Sequence, residues 1–270
     1  MSVLRQSLLY WAWFRTDGSR YVNGRLSVKT LVHTFWSIGN KHRQIGFAVA
    51  ACSVAILLAG CPEEYEPDID PANFVGAITN PFLPFVPGTT FVYEAATPDG
   101  AERVEVYVTY ETKEILGVTC TVVRDTMTLD GVLAEDTLDW YAQDTDGNVW
   151  YFGEDSKIYE DGVVVSTEGS WEAGVHCAKP GIVMEGNPQI GDSYRQEYSK
   201  GIAEDMADVL SLTESVQVPY GSFTNCLKTA DYSALEPETP AENKFYAAEV
   251  GQVLTLEGDV RVELVSKSTS

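Results

Sequence analysis

From about residue 88 to the C terminus, apolar and polar residues alternate in short runs that end in turn residues. "TTFVYEAA" (89–96) leads to Pro98-Asp99-Gly100, and "ERVEVYVTYETKEI" (102–115) leads to Gly117. "TCTVVRDTMTL" (119–129) leads to Asp130-Gly131, and "VLAEDTLDWYAQ" (132–143) to Asp144-Thr145-Asp146-Gly147. "NVWYFGEDSKIYE" (148–160) then runs into Asp161-Gly162. Strong β formers at a period of two, punctuated by Asp-Gly turns, predict strands joined as hairpins in an antiparallel meander. No stretch carries a sustained helical period; "IAEDMADVL" (202–210) comes nearest, but its alternation continues into "SLTESVQV" (211–218).

The meander is duplicated. "GTTFVYE" (88–94) corresponds to "GDSYRQE" (191–197), residues 101–125 to 203–231, and "WYAQDTDGNVWYFG" (140–153) to "FYAAEVGQVLTLEG" (245–258). Within these blocks Tyr141-Ala142 matches Tyr246-Ala247, Gly147 matches Gly251, Val149 matches Val253 and Gly153 matches Gly258. Cys120 and Cys226 correspond as well, with Asp125 and Asp231 five residues after them. Three blocks in one order mark an internal repeat. The expected fold is all-β: two tandem similar meanders forming one curved sheet, a half-barrel or a barrel-like domain. A single domain is expected over 79–266, with repeat one at about 80–170, a connection at about 171–190 and repeat two at about 191–266.

The N-terminal region has a different composition. Residues 1–61 carry seven Lys/Arg and one acid, Asp17. Lys41-His42-Arg43 precede an uncharged apolar run, Ile45–Gly60, of 16 residues. A spanning helix needs about 20 residues, so this run fits the apolar stretch of a signal peptide. It closes on Leu57-Leu58-Ala59-Gly60-Cys61, which resembles the lipobox of bacterial lipoproteins, with Cys61 as the lipidated first residue of the mature chain. Residues 41–60 then read as a lipoprotein signal peptide, and 1–40 as an over-extended start. "PEEYEPDIDPANF" (62–74) is too acidic and Pro-rich to bury a core, so 61–78 reads as the lipidated cysteine and its flexible tether. Pro62 is not the aspartate that commonly retains lipoproteins at an inner membrane, which points to the outer membrane in a two-membrane cell.

Residues 62–270 hold 11 Lys/Arg and 39 Asp/Glu, a net of −28. A field of that sign repels phosphate backbones, so nucleic acid is not expected as a partner.

"NPFLPFVPGTTFVYE" (80–94), "DWYAQDTDGNVWYFGED" (139–155), "STEGSWEAG" (166–174), "KPGIVM" (179–184) and "KFYAAEVGQVLTLE" (244–257) together resemble a family of uncharacterised bacterial lipoproteins and secreted β-proteins. The resemblance covers about 78–266. It implies an exported, barrel-like β domain with no assigned activity and no catalytic residues to carry over.

Candidate chemistry is sparse. Asp144, Asp146, Asn148 and Asp155 stand at positions 1, 3, 5 and 12 of a calcium loop, but Val149 occupies position 6, where a hand-like loop needs glycine. The second repeat makes the same corner with Glu249-Val250, so a turn is the simpler reading and calcium the candidate cofactor. His176 is the only histidine after residue 61 and lies beside Cys177, a poor chelate on an extended strand, so zinc is not expected. No Gly-x-Ser-x-Gly elbow occurs. Cys120 and Cys226 either bridge the two repeats or are small buried hydrophobes. Trp140, Trp150 and Trp171 are candidates to line a cleft. The expected function is that of a lipid-anchored, non-catalytic envelope protein binding a partner protein or an apolar ligand. The alternatives are a calcium-stabilised surface or matrix protein and a carboxylate-dependent hydrolase.

Overall fold

The structure is a computed structural model, described for residues 65–270. The expectations for 1–64, including the signal peptide and the lipidation of Cys61, lie outside the described residues. The expected fold is found: sixteen strands and one 3-10 turn, Pro71–Asn73. The strands are β1 (Phe74–Val75), β2 (Thr89–Thr97), β3 (Gly100–Ile115), β4 (Val118–Leu129), β5 (Val132–Asp144), β6 (Val149–Glu160), β7 (Val163–Ser166) and β8 (Trp171–Glu172). They continue as β9 (Lys179–Met184), β10 (Ser193–Arg195), β11 (Glu197–Tyr198), β12 (Asp205–Val218), β13 (Gly221–Ser233), β14 (Glu242–Ala247), β15 (Gly251–Glu257) and β16 (Val260–Thr269). The main path is antiparallel, in the order β10-β12-β13-β14-β15-β16-β2-β3-β4-β5-β6-β9-β11.

The predicted turns fall where the sequence puts them. Asp130-Gly131 and Asp161-Gly162 both have positive φ at both residues, 50° and 78° in the first and 50° and 76° in the second. That is the backbone a two-residue hairpin with right-handed twist requires, and Asp and Gly are residues that tolerate it.

The sheet's two ends meet in one segment. Ser193–Arg195 pairs with β12, and Glu197–Tyr198, two residues on, pairs with β9. Between them the Gln196 amide donates to the Asp205 carbonyl at 2.8 Å. This segment draws the sheet into a nearly closed barrel. Gly181 on β9 permits the approach, because a Cβ there would run into the backbone of Arg195 and Gln196. The stretch 171–190 is therefore part of the wall, through β8 and β9, and not the bare connection the sequence suggested.

The tether expectation is corrected for the described part of 61–78. Tyr65 donates from its hydroxyl to the Pro180 carbonyl at 3.1 Å, and Glu66 meets Lys179 at 2.7 Å. Phe74 pairs with Asp144 and packs edge-on against Trp150 and Phe152, and Ile78 is buried. The chain from 65 onward is docked on the barrel. Its apolar residues, Ile69, Phe74 and Ile78, are spaced widely enough to escape a composition average.

The two repeats are structurally equivalent. The amide of Gly88 donates to the Val108 carbonyl at 2.8 Å, and that of Gly191 to the Val209 carbonyl at 2.9 Å. Val108 thus corresponds to Val209, and Val104 to Asp205. The sequence blocks paired Arg103 with Asp205, one residue out of register. Gly153 and Gly258 are not equivalent either: Gly153 lies within β6 beneath the Trp171 carbonyl, and Gly258 lies in the turn after β15.

Alternation sorts the side chains into an outside and a lumen. The outer face is charged, with Arg103 on Glu94 at 2.7 Å and Arg124 forked on Asp136 at 2.8 Å. An outward-facing apolar band, which a lipid-embedded barrel needs, is not what these positions show.

Candidate functional site

The lumen is mixed. Cross-strand register stacks its side chains in layers: Phe91, Val106, Asp125, Thr137 and Ser156 are successive neighbours across β2 to β6. The next layer holds Val108, Val123, Asp139 and Glu154. All nine side chains are buried. On β5 the inward positions read Glu135, Thr137, Asp139 and Tyr141, so three of four are polar.

Some of these acids have partners. Glu135 Oε1 accepts from Ser156 Oγ at 2.9 Å and from Thr137 Oγ1 at 3.2 Å. The Tyr151 hydroxyl lies 2.6 Å from Asp139 Oδ1 and 3.1 Å from Glu154 Oε2. One phenolic proton serves one acceptor. The two contacts are both satisfied only when a carboxyl carries a proton of its own and donates it to the phenol oxygen. Burial raises the pKa of Asp139, and burial together with the Asp139 and Glu135 charges raises that of Glu154 well above the usual range. Burial also pushes Glu135 up to about 7.

Two other acids keep oxygens without a partner. Both carboxylate oxygens of Asp125 lack a partner although the residue is 1% exposed, and Glu197 Oε1 is unpaired while Oε2 accepts from Trp171 Nε1 at 3.1 Å. Burial is the main cause raising the pKa of Asp125 and of Glu197. An unpartnered buried polar group costs about 1–3 kcal/mol, and more when charged.

In the second repeat the equivalent acid is satisfied. Asp231 accepts from Thr229 Oγ1 at 2.6 Å, from Gln196 Nε2 at 3.0 Å, and meets Lys244 Nζ at 3.0 Å. Lys244 also lies 3.8 Å from Glu242 and is 1% exposed. Burial acts to lower the Lys244 pKa, but the Asp231 and Glu242 charges outweigh it and the net shift is upward.

At one end of the lumen these groups border a cavity. Leu83, Pro84 and Phe85, from the segment before β2, cover it. Its walls are Phe91, Tyr93, Tyr141, Tyr151 and Tyr246, with Val106 and Val183, and its polar groups are Asp139, Gln196, Lys244 and Gln252. The cavity proper is small, about 40 Å³, and reaches about 680 Å³ only when the open space at its mouth is counted. The covering segment is pinned by Asn80, whose Nδ2 donates to the carbonyls of Gly147 and Glu185 at 2.9 Å each, and by Gln143 Oε1, which accepts from the Thr79 and Asn80 amides.

The tryptophans proposed from sequence do not line this cavity. Trp140 lies under Lys113, whose Nζ is 3.2 Å from the ring centroid. Trp150 donates from Nε1 to Asp144 Oδ2 at 2.7 Å and packs on Phe74. Trp171 meets Tyr151 edge-on at 5.5 Å. Tyrosines take the role instead, because β5 and β6 place Tyr141 and Tyr151 on the inner face, stacked at 4.8 Å.

The four calcium-loop candidates are not all brought together. Asp144 is used up by the turn: Oδ1 accepts from the amides of Asp146 and Asn148 at 2.9 Å, and Oδ2 from Asn148 Nδ2 at 2.8 Å and from Trp150. Asn148 Oδ1 accepts from the Gly186 amide at 2.8 Å. Asp155 lies further along β6, paired with Lys157 at 2.7 Å, and does not join them. Among the described residues, no group of three or more His, Cys, Asp or Glu is placed to hold a metal ion. Cys120 and Cys226 are both buried free thiols, so the bridge between repeats is not formed. Cys177 is disulfide-bonded.

The fold thus defines an antiparallel, nearly closed barrel with an aromatic cavity at one end. No protein-family model matches the chain, and no curated protein does. A crystal structure from Bacteroides fragilis, described as a "putative exported protein with YmcC-like fold", is similar over 70% of this chain and 99% of that one, at 16% identity and a TM-score of 0.39.

Proposed function

We propose that the protein is an exported, lipid-anchored and non-catalytic binding protein of the bacterial envelope, and that the barrel cavity is its ligand site. The observation that carries the binding reading is the cavity itself. Six aromatic rings and a few convergent polar groups, at the mouth of a small barrel, form the usual setting for a small-molecule site. The anchor and address rest on the sequence: the apolar run ending Leu57-Leu58-Ala59-Gly60-Cys61. The hydrolase alternative draws no support from Asp139 and Glu154, which are buried and joined through Tyr151.

Two experiments test this. Calorimetric titration of the full chain with indole is expected to show binding, weakened at least tenfold by Val183→Trp, which fills the cavity. Absence of binding, or equal binding by the filled variant, overturns the ligand reading. Metabolic labelling with radioactive palmitate is expected to mark the protein, and Cys61→Ser to abolish the label. An unlabelled wild-type chain overturns the anchor.

A further inference from the structure

The two repeats build the same lumen corner with opposite completeness. In repeat two, Asp231 stands opposite Glu242 across the β13–β14 ladder, and Lys244 stands opposite Thr229. In repeat one, Asp125 stands opposite Thr137, and Asp139 stands opposite Val123. The registers match position by position, so Asp125 corresponds to Asp231 and Asp139 to Lys244. Where repeat two holds an ammonium group against its aspartate, repeat one holds a second carboxylate.

The consequence is visible in the hydrogen bonding. Asp231 has three partners, and Asp125 has none for either oxygen at 1% exposure. Asp139 lines the cavity; Asp125 does not line it, but lies buried behind that wall, in the same layer as Val106 and Phe91, which do. Among the described residues, no Lys or Arg side chain is ion-paired with Asp125, Asp139, Glu135 or Glu154; Lys244 is held by Asp231 and Glu242. Unpaired carboxylates want N–H donors, and the tyrosine faces beside them favour a positive charge.

We infer that the cavity takes a small organic cation, a primary ammonium carried on an aromatic or apolar body, with the ammonium at Asp125 and Asp139 in the place Lys244 Nζ fills in the other repeat. A primary ammonium brings three donors, enough for the two free oxygens of Asp125 and one of Asp139. The body lies among Phe91, Tyr93 and Tyr141. The inference rests on the cavity being a ligand site and specifies what that site selects.

The test compares two ligands of similar shape, phenethylammonium and neutral 2-phenylethanol, by calorimetry on the full chain at pH 7.5. The expected result is at least tenfold tighter binding of the ammonium, with the preference lost in Asp125→Asn and in Asp139→Asn. Near-UV circular dichroism confirms that each variant is folded, and the wild-type preference needs no variant. Equal binding of the two ligands overturns the inference and leaves the cavity reading standing. A preference that survives in both variants also overturns it. Failure of indole and both of these ligands to bind overturns the cavity reading as well.

Discussion

Asp231 and Asp125 occupy the same place in two copies of one meander, and they live differently. Asp231 has a lysine, a glutamine and a threonine around it. Asp125 has no partner for either oxygen. The register at this corner is common to both copies, so the difference lies in side chains: Lys244 against Asp139, Thr229 against Val123, and Gln196 reaching Asp231 from the closing segment. One copy has a completed polar core. The other has a polar core with a missing charge, next to the cavity.

The largest expected effect comes from making the complete copy resemble the incomplete one. Lys244→Met leaves Asp231 buried without its ion partner, and breaking a buried pair in this way costs about 3–5 kcal/mol. Urea denaturation at pH 7 measures it. A cost below 1 kcal/mol would mean that the lysine does little for the second copy, and the contrast would lose its meaning.

Next in size is a dependence on pH that follows from the buried acids. A carboxyl whose folded pKa lies above its unfolded value binds its proton more tightly in the native state. Stability is then full below the unfolded pKa and declines as pH rises toward the folded one. For Glu135 that window runs from 4.5 to about 7. It corresponds to a loss on the order of 3 kcal/mol at neutral pH. Guanidinium denaturation from pH 4.5 to 7.5 at fixed ionic strength should show falling stability. Glu135→Gln should flatten the curve, whereas Glu94→Gln, on the outer face, should not. A wild-type curve that rises over this range would contradict the account.

Smaller again is the β5–β6 turn. Asp144→Ala removes an acceptor from four donors, among them the Trp150 indole, with an expected cost of about 2 kcal/mol by thermal denaturation. The wild-type melting temperature should be the same with calcium and with chelator, since the aspartate already spends its oxygens on the turn. A calcium-dependent shift lost in Asp144→Ala would reinstate a metal role. The smallest effect concerns the cysteines. Cys120→Ala and Cys226→Ala should cost about 1 kcal/mol each, and the costs should add, as expected for distant, independent thiols. A double variant no worse than either single one would indicate a bridge.

Much of the fold was legible because its signals are local. Asp130-Gly131 and Asp161-Gly162 fix hairpins, and alternation over 102–115 or 119–129 fixes faces. The repeat was legible too, through Tyr141-Ala142 and Tyr246-Ala247. What escaped was register. Matching Ala101 to Ala203 put Asp205 opposite an outward arginine, while the hydrogen bonds of Gly88 and Gly191 put it opposite the inward Val104. A slip of one residue moves a side chain to the other face, and Asp205 is in fact buried.

The site was hidden for a related reason. With 39 acids after residue 61, a surface assignment for any one of them was the default. A signal did exist in "AEDTLDWYAQ", where polar residues occupy both parities and one set must therefore face inward. The substitution of Lys244 for Asp139, each directly before an aromatic-Tyr-Ala triplet, was also there to be read. The tryptophans drew attention instead, and their positions could not be told from a single chain. Trp140 lies beneath Lys113 and Trp150 against Phe74, contacts made by segments distant in sequence.

The contrast between the copies is tested most directly at Asp125 itself. Carbon-13 NMR of its side-chain carboxyl in the full chain reports the protonation of that one group as pH is raised. The account predicts that Asp125 in the unliganded protein keeps its proton well above the pH at which an ordinary aspartate ionises, because burial without a partner disfavours the charged form. It also predicts that saturating phenethylammonium removes that proton. A carboxyl already ionised by pH 5, with no response to the ammonium, would contradict it.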